Sequence, residues 1–400
     1  TALAHARAAL ASARPDDLFT RAIAQTALGG ALRAKGEVEA AVVAYEQAIP
    51  LCRAAHLRLP EMLSRAHLGY LYLTQGRLRQ AESATRPVIT DGVRHPAASA
   101  VYGSLAHVLL EWNQVDEARD MLMQGLELAR KSGHNAALAQ AHILLARVYR
   151  MQHDLHAAQS ALDTAAAQMI RGVPAWIATL LHSERVRLWL EQDAISTAEQ
   201  YLLETGELHQ AAGHVAEVLA LIWARIHYHQ ARYAEAEAIL TGIIHGDDAR
   251  ERQGRVIEAR VLQALTCAAR GDETAARDHL TVALGLAEPE AYVSVFVDAG
   301  SALAPLLLRI EGDYARQLFD ALPAAIRQNA MASPELPEPL TDREIDVLRL
   351  MERGLTYQQI ADDLVVSINT VRHHVKGIYS KLYADSRTRA IERARSLKLI

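Results

Sequence analysis

Residues 367–382, SINTVRHHVKGIYSKL, combine basic and imidazole side chains with a regular apolar pattern. Helical spacing would place four apolar residues on one face, and these are Val371, Val375, Ile378 and Leu382. It would gather four polar residues on another face, and these are Asn369, Arg372, His373 and Lys376. Because the first face suits burial and the second carries donors and positive charge, we expect the second to bind an anionic partner, with DNA as the candidate.

Helix-start signals around this segment indicate how it is held. Three capping signals occur, at Thr341 with Glu344, at Thr356 with Gln359, and at Ser367. Gly354 fits the end of a first helix, the small Ala361 permits a close helix crossing, and the Val-Val pair at 365–366 leaves room for a tight connection. Ser386 is a candidate cap for a last helix with apolar residues at Ala390, Ile391, Ala394 and Leu397. This order predicts a helix-turn-helix.

The charge of the chain is uneven. The whole sequence has 42 Lys and Arg against 47 Asp and Glu, a formal net charge of −5. Residues 341–400 alone carry eleven Lys and Arg against eight Asp and Glu, which leaves a net charge of −8 on the preceding residues. A basic module on an acidic body fits a local anionic partner rather than nucleic-acid binding along the whole chain.

Composition excludes some other classes of protein. The two cysteines, Cys52 and Cys267, are far apart in sequence, and the pattern contains neither metal-ligand spacing nor a disulfide framework. We therefore expect two buried thiols and no metal. No apolar run is long enough to cross a bilayer, so we expect no membrane association and a cytoplasmic location.

Residues 1–288 consist of an internal repeat rich in helix-forming residues. An alanine marks each copy, at Ala41, Ala81, Ala118, Ala158, Ala198, Ala236 and Ala276. A turn position precedes each alanine by five residues, and a larger residue follows it by four. Because small residues let two helices cross closely, the pattern predicts helix pairs stacked into a superhelix. The array resembles tetratricopeptide repeats with a period stretched beyond the usual ~34 residues.

Two shorter segments follow the repeats. Residues 289–328 break the period and are interpreted as a capping or closing segment of the array. Within it, YVSVFVDAG at 292–300 is either a short extended excursion or a cap, and 314–328 is expected to form one helix. Residues 329–340, NAMASPELPEPL, contain three prolines and predict a linker to residues 341–400.

The terminal sequence LTDREIDVLRLMERGLTYQQIADDLVVSINTVRHHVKGIYSKL resembles the LuxR-type helix-turn-helix domain. The matches are L-T-x-R-E, G-L-T, I-A, T-V-R-x-H-V and K-L. The resemblance implies a four-helix DNA-binding domain over 341–400, with base-edge contacts from Arg372, His373 and Lys376. Residues suited to phosphate contact lie nearby, and these are Thr356, Thr370, Lys381 and Arg387.

Helical repeats followed by this domain resemble the large ATP-dependent MalT-like regulators. In that family an NTPase domain precedes the repeats. The sequence has no G-x-x-x-x-G-K-[ST] motif and no Gly-Lys dipeptide, so no phosphate-binding loop is present here. We interpret the chain, which begins at Thr1, as the carboxy-terminal part of such a regulator, with no enzymatic function and no cofactor of its own.

The sequence therefore predicts an all-α protein: a tetratricopeptide-like superhelix followed by a four-helix LuxR-type domain. The predicted function is a DNA-binding transcriptional regulator, an activator by resemblance, whose repeats sense an inducer or a protein partner. Double-stranded DNA is the expected partner, with self-association on paired sites. The alternative is a protein-interaction scaffold that uses the repeat groove, with an accessory terminal module.

Overall fold

The computed structural model describes residues 2–90, 92, 95–169, 173–205, 214–246, 252–332, 340–382, 384, 387–397 and 399–400. It divides into two compact units, Thr1–Ala299 and Gly300–Ile400. All regular secondary structure in the described ranges is helical, which confirms the all-α prediction. No helix in those ranges is both long and apolar enough to cross a membrane.

The first unit consists of sixteen α-helices within its described residues. Their bounds are α1 Ala2–Ser12, α2 Leu18–Ala34, α3 Val38–Ala54, α4 Arg58–Gln75, α5 Leu78–Thr90, α6 Ser99–Glu111, α7 Val115–Ser132, α8 Asn135–Met151, α9 Leu155–Ala167, α10 Ala175–Glu191, α11 Ile195–Thr205, α12 His214–His229, α13 Tyr233–Ile244, α14 Gln253–Ala269, α15 Glu273–Ala287 and α16 Ser294–Val297. Short 3₁₀ segments occupy Pro96–Ala98 and Glu288–Glu290. Helices α2 to α15 form seven consecutive pairs, one for each predicted repeat.

The repeat alanines lie where the two helices of a pair cross. All seven are at most 1% exposed, and so are the seven larger residues that follow each of them by four positions. In the first pair Gly29 packs against Tyr45 so closely that a Cβ atom on Gly29 would lie 2.8 Å from the tyrosine ring. A small residue on one helix and a large residue on the other therefore fill the crossing, as the repeat pattern predicted.

The turn position of every repeat has a left-handed backbone. The seven residues are Gly36, Gly76, Asn113, His153, Asp193, Ala231 and Gly271, with φ between 57° and 84°. In each copy the next residue donates its N–H to the carbonyl five residues back, as in the 2.9 Å bond from Arg77 N to Tyr72 O. This bond satisfies an unpaired carbonyl at the end of the first helix, so the turn ends one helix and starts the next at constant geometry.

The strap, which we define as residues 288–299, returns from the last repeat to the second and third. Trp112 Nε1 donates to Glu290 O at 2.9 Å, and Val293 N donates to Glu111 O at 2.8 Å. Phe296 is fully buried. The strap is helical at 288–290 and 294–297, so the extended alternative for this segment is wrong. Contacts with the array decide its conformation over the strand preference of its Val residues.

The second unit contains seven α-helices in the residues that the structure describes. They are α17 Gly300–Leu308, α18 Asp313–Ala321, α19 Ala324–Ala332, α20 Asp342–Glu352, α21 Tyr357–Asp363, α22 Ile368–Leu382 and α23 Arg387–Ser396. The single helix expected over 314–328 is wrong, because Pro323 separates α18 from α19.

The predicted domain boundaries stay a prediction, and the division into compact units does not coincide with them. The chain divides after Ala299, inside the 289–328 segment that the sequence analysis assigned to the array. Asn329–Ala332 of the predicted linker continues α19, and Leu340 is buried in the terminal core. The intervening residues 333–339 lie outside the described ranges, so the linker stays a prediction.

Gly29→Ala should lower the urea midpoint of the array. The new methyl group would overlap the Tyr45 ring, and such overpacking costs about 1–3 kcal/mol. Gly285→Ala is the matched control, because Gly285 lies in α15 with open space around its Cβ direction. That control should raise stability by about 0.5–1 kcal/mol through helix propensity. Far-UV circular dichroism in urea measures both, and equal midpoints for the two variants would contradict close crossing at Gly29.

Candidate nucleic-acid interface

Helix α22 is anchored by the apolar stripe that its spacing predicted. The stripe residues are 0–4% exposed, and they are Val371, Val375, Ile378 and Leu382. They belong to one core with Leu348, Met351 and Ile360 from α20 and α21. Burial of four such side chains stabilises the fold by roughly 1.5–3 kcal/mol each, which fixes the rotation of α22 about its axis.

The opposite face of α22 is open to solvent. Arg372, His373 and Lys376, the three predicted base-contacting residues, are all exposed, as is Asn369. His374 is half-buried at the flank. The structure thus brings the three residues together on one surface, next to one another along the helix. Their base-contacting role remains a prediction.

The predicted caps form in this unit. Thr341 and Glu344 make a complete capping box on α20, and Thr356 and Gln359 make one on α21. Thr370 N donates to Ser367 Oγ at 3.1 Å at the start of α22. The Ser386 cap predicted for α23 lies outside the described residues. These caps satisfy backbone donors at three helix starts and so fix where each helix begins.

The turn between α21 and α22 contains no glycine. Val365 takes a left-handed backbone, with φ of 55°, and is 89% exposed. Val366 N donates to Ala361 O at 3.0 Å, and Arg343 Nη2 donates to Leu364 O at 2.7 Å. The Val365–Val366 pair is therefore the tight connection that the sequence predicted, and Arg343 ties it to α20. A β-branched residue is costly in this conformation, so its neighbours must hold it there.

Lys381 forms an ion pair that the sequence analysis missed. Its Nζ lies 2.8 Å from Glu344 Oε2, and the two side chains are 18% and 8% exposed. Glu344 also accepts from Thr341 N at 2.8 Å. Burial raises the pKa of Glu344, but the bonds from Lys381 and Thr341 outweigh it, so its pKa is lowered from the ordinary 4.5. The structure assigns Lys381 an anchoring role, and its phosphate contact stays a prediction.

A glycine makes this ion pair possible. A Cβ atom on Gly377 would lie 2.7 Å from Glu344 Oε1, so the absent side chain leaves the space that the carboxylate occupies. The residues involved are 33 and 37 positions apart in sequence. Helical periodicity gives no signal at that separation, which is why the contact was not predicted.

The remaining predicted phosphate contacts differ in exposure. Thr356 is exposed at the start of α21, and Thr370 is half-buried near the start of α22. Arg387 is half-buried and donates from Nε to Met351 O at 3.2 Å, at the end of α20. The guanidinium thus satisfies a carbonyl within its own unit. All three phosphate roles remain predictions.

Comparison with known proteins agrees with both units. The model of the MalT-like TPR region matches residues 1–313, and that of the luxR family of bacterial regulatory proteins matches residues 338–394. The chain belongs to the MalT-like TPR family. The predicted resemblance is therefore confirmed, and the terminal module is of the luxR type.

Curated relatives carry the name HTH-type transcriptional regulator MalT. The protein of Vibrio campbellii is 23% identical over 99% of this chain and 47% of its own length. That of Serratia proteamaculans is 24% identical over 95% of this chain and 45% of its own length. The chain thus spans about half the length of these relatives. A tetratricopeptide repeat protein from Parabacteroides merdae of known structure is 14% identical, covering 75% of this chain and 98% of its own, with a TM-score of 0.40.

The MalT-like array also contains an ordered set of charges that the sequence analysis missed. Eleven residues before the repeat alanine, four successive copies carry a basic side chain, at His107, Arg147, Arg187 and Arg225. We call these four residues the basic ladder. They lie on the first helices of the third to sixth pairs, and their spacing of 38 to 40 residues was the available signal.

The strap satisfies part of the basic ladder. Arg147 donates to Ser294 Oγ and Glu111 Oε1, both at 2.7 Å, and Arg187 Nη1 lies 3.5 Å from Asp298 Oδ2. Arg150, one turn beyond Arg147, lies 3.1 Å from the same Asp298 oxygen. Burial raises the pKa of Asp298, but Arg150 and the two ladder arginines lower it to about 2. The carboxylate is therefore charged at neutral pH and holds the strap to the array. The described residues contain no group of three side chains able to hold a metal ion.

Glu344→Gln should reduce amide-exchange protection of α20 and α22, because it removes the carboxylate that lies 2.8 Å from the Lys381 ammonium. We expect a loss of about 1–3 kcal/mol at neutral pH. Asp342→Asn, in the same helical turn but exposed, is the matched control and should change protection little. Hydrogen–deuterium exchange of the full chain resolves the two helices from the array.

The effect of Glu344→Gln should depend on pH. Since folding lowers the pKa of Glu344, its charge stabilises the unit above pH 4.5, and this contribution is lost as pH falls through the folded value. The difference between wild type and variant should therefore shrink on acidification. A difference that stays constant from neutral pH to pH 3 would contradict the ion pair.

Proposed function

We propose that this chain is the signal-sensing and DNA-binding part of a transcriptional regulator. The observation that carries the proposal is the exposed cationic face of α22, which lies opposite the buried stripe in a luxR-type module. Support also comes from the relatives, whose printed name is HTH-type transcriptional regulator MalT. No catalytic role is proposed for this chain, and no cofactor.

Recognition would place α22 in the major groove of DNA. Arg372 carries a planar fork of donors that matches the O6 and N7 acceptors of guanine, whereas Lys376 approaches the same atoms as a point charge. His373 lies between them and can donate or accept. Thr356 and Thr370 have hydroxyls at helix starts, where backbone N–H groups also favour phosphate, and Arg387 adds a charge nearby.

The relation between Lys381 and phosphate follows from its ion pair. Its ammonium has three donors, one of which reaches Glu344, and the side chain is 18% exposed. We propose that it acts first as the anchor of α22 and that any phosphate contact shares the same ammonium. Substitution of Lys381 would therefore weaken DNA binding through the fold as well as through lost charge.

The helical array is proposed to receive the signal. Stacked repeats present extended surfaces to ligands, and the first helices of this array carry buried charges such as Arg147 and Arg150. An inducer or a protein partner would act on it, with self-association on paired DNA half-sites and activation of transcription as the outcome. A cytoplasmic location follows from these roles. The second candidate function, a scaffold that binds a protein through the array, predicts no sequence-specific DNA binding.

Arg372→Ala should weaken binding to a preferred duplex by about 1–3 kcal/mol and relax selectivity at one base pair. The preferred duplex would be selected from a random library with the full wild-type chain, and affinity measured by fluorescence anisotropy. Arg353→Ala is the matched control, because Arg353 is an exposed arginine at the end of α20, off the α22 surface.

Two results would count against the proposal. One is an equal loss of affinity in both arginine variants, which would indicate general charge attraction. The other is failure of the selection to enrich any sequence, together with binding that does not weaken as salt rises, which would favour the scaffold. Specific binding should weaken steeply with salt. The logarithm of the association constant should fall with the logarithm of the salt concentration, with a slope of roughly −0.9 for each phosphate contacted.

A further inference from the structure

The basic ladder ends at a recess between α10, α12 and α14. The cavity volume of this recess is about 40 Å³. Its polar lining consists of Ser183, Arg187, Arg225, Arg255 and Glu258. Its apolar lining consists of Val186, Val218, Leu221 and Ile222. The described lining residues thus include three cationic groups and one carboxylate, and further carboxylates outside the lining pair with Arg187 and Arg255.

Charge compensation changes along the ladder. Arg147 donates to Glu111 and to the strap hydroxyl of Ser294. Burial lowers the pKa of Arg147, but the negative charges of Glu111, Asp298 and Glu184 outweigh it, so the pKa is raised. Arg225 is the last residue of the basic ladder. Burial and the positive charge of Arg187 lower its pKa by more than Glu258 raises it. In the recess, Arg187 is compensated by the strap's Asp298 as well as by Glu258, whereas Arg225 pairs with Glu258.

A single oxygen serves two guanidinium groups in the recess. Arg187 Nη2 and Arg225 Nη2 both donate to Glu258 Oε1, at 2.5 and 2.8 Å. Arg255 directs Nη1 to a different carboxylate, Glu217 Oε2, at 2.8 Å. A planar guanidinium can bind a carboxylate or phosphate with two parallel bonds. An additional anion bound here would share Arg187 and Arg225 with Glu258.

We propose that the recess is a binding site for a small organic anion. Its carboxylate or phosphate group is held by Arg187 and Arg225, and its apolar part packs on the wall formed by α10 and α12. Convergent polar groups at one end of a mostly apolar recess are typical of small-molecule sites. The biological meaning of this site rests on the proposed sensing function. Anion binding itself does not, because it is measurable without DNA.

Isothermal titration calorimetry on the full chain tests this, with sodium hexanoate and hexyl phosphate as probes and hexanamide as the uncharged analogue. Both anions should bind, and hexanamide should bind at least about tenfold more weakly, because it lacks the charge that the two arginines recognise. Equal binding of hexanoate and hexanamide, or no heat from either anion at millimolar concentration, would overturn the proposal.

Three variants locate the site. Arg225→Ala should weaken hexanoate binding by about tenfold or more. Arg185→Ala is the matched control: Arg185 lies on the same helix as Arg187, pairs with Asp163 at 3.0 Å, and should leave binding unchanged. Ser183→Leu keeps every charge but fills the recess, and it should also weaken binding, which covers the case in which Arg225→Ala does not fold.

The outcomes separate this proposal from the proposed function. Equal weakening by Arg185→Ala and Arg225→Ala, or undiminished binding by folded Ser183→Leu, would show that the anion binds elsewhere and overturn the inference. Sequence-specific DNA binding by the same chain would be unaffected by that result. Anion binding without DNA binding would instead support the recess and contradict the regulator.

Discussion

The orientation of α22 depends on the burial of its apolar stripe. Val371, Val375, Ile378 and Leu382 are almost completely removed from solvent, and the 100° rotation per residue of a helix then dictates what faces outward. Arg372, His373 and Lys376 are exposed as a direct consequence. A rotation of α22 large enough to bury them would bring four apolar side chains into water, which the marginal stability of a small unit would not sustain.

The apolar stripe fixes the rotation of α22 about its axis, and a polar contact fixes the position of α22 along α20. The Glu344 carboxylate occupies the space above Gly377 and pairs with Lys381, so α22 cannot slide by a turn without losing both. Ion pairs of low exposure contribute little net stability on average but are costly to break. The contribution of this pair is to the register of the two helices: it holds the exposed face of α22 at a defined distance from the caps of α20 and α21.

A related constraint applies to each of the seven helix pairs of the array. A small residue at each helix crossing and a left-handed residue at each turn keep the pairs at constant geometry, so equivalent positions recur at the same place in successive pairs. The basic ladder is the result, since its members share one position in four successive repeats. The strap crosses the array and compensates Arg147 and Arg187, and this joins repeats that are distant in sequence.

Local signals in the sequence accounted for most of the fold. The repeat alanines, the seven turn positions, two capping boxes and the stripe of α22 all depend on residues within about one or two helical turns, where periodicity is informative. Pro323 was a local signal that the single-helix expectation over 314–328 overlooked.

Contacts between distant segments were not predictable in this way. The pairs Lys381–Glu344, Trp112–Glu290 and Arg187–Asp298 join residues 37 to 178 positions apart, and no local pattern encodes them. The strap was consequently left between two alternatives, and Lys381 was predicted from its charge alone. Local patterns do not encode the DNA-contacting roles either, because these roles depend on a partner outside the chain.

Methylation interference on the selected duplex tests the central claim most directly, because dimethyl sulfate marks guanine N7 in the major groove and adenine N3 in the minor groove. The exposed face of α22 predicts that N7 methylation at one or more guanines of each half-site prevents binding, whereas N3 methylation within the same half-site does not. Binding that tolerates every N7 methyl group but fails with N3 methylation would contradict major-groove recognition by α22.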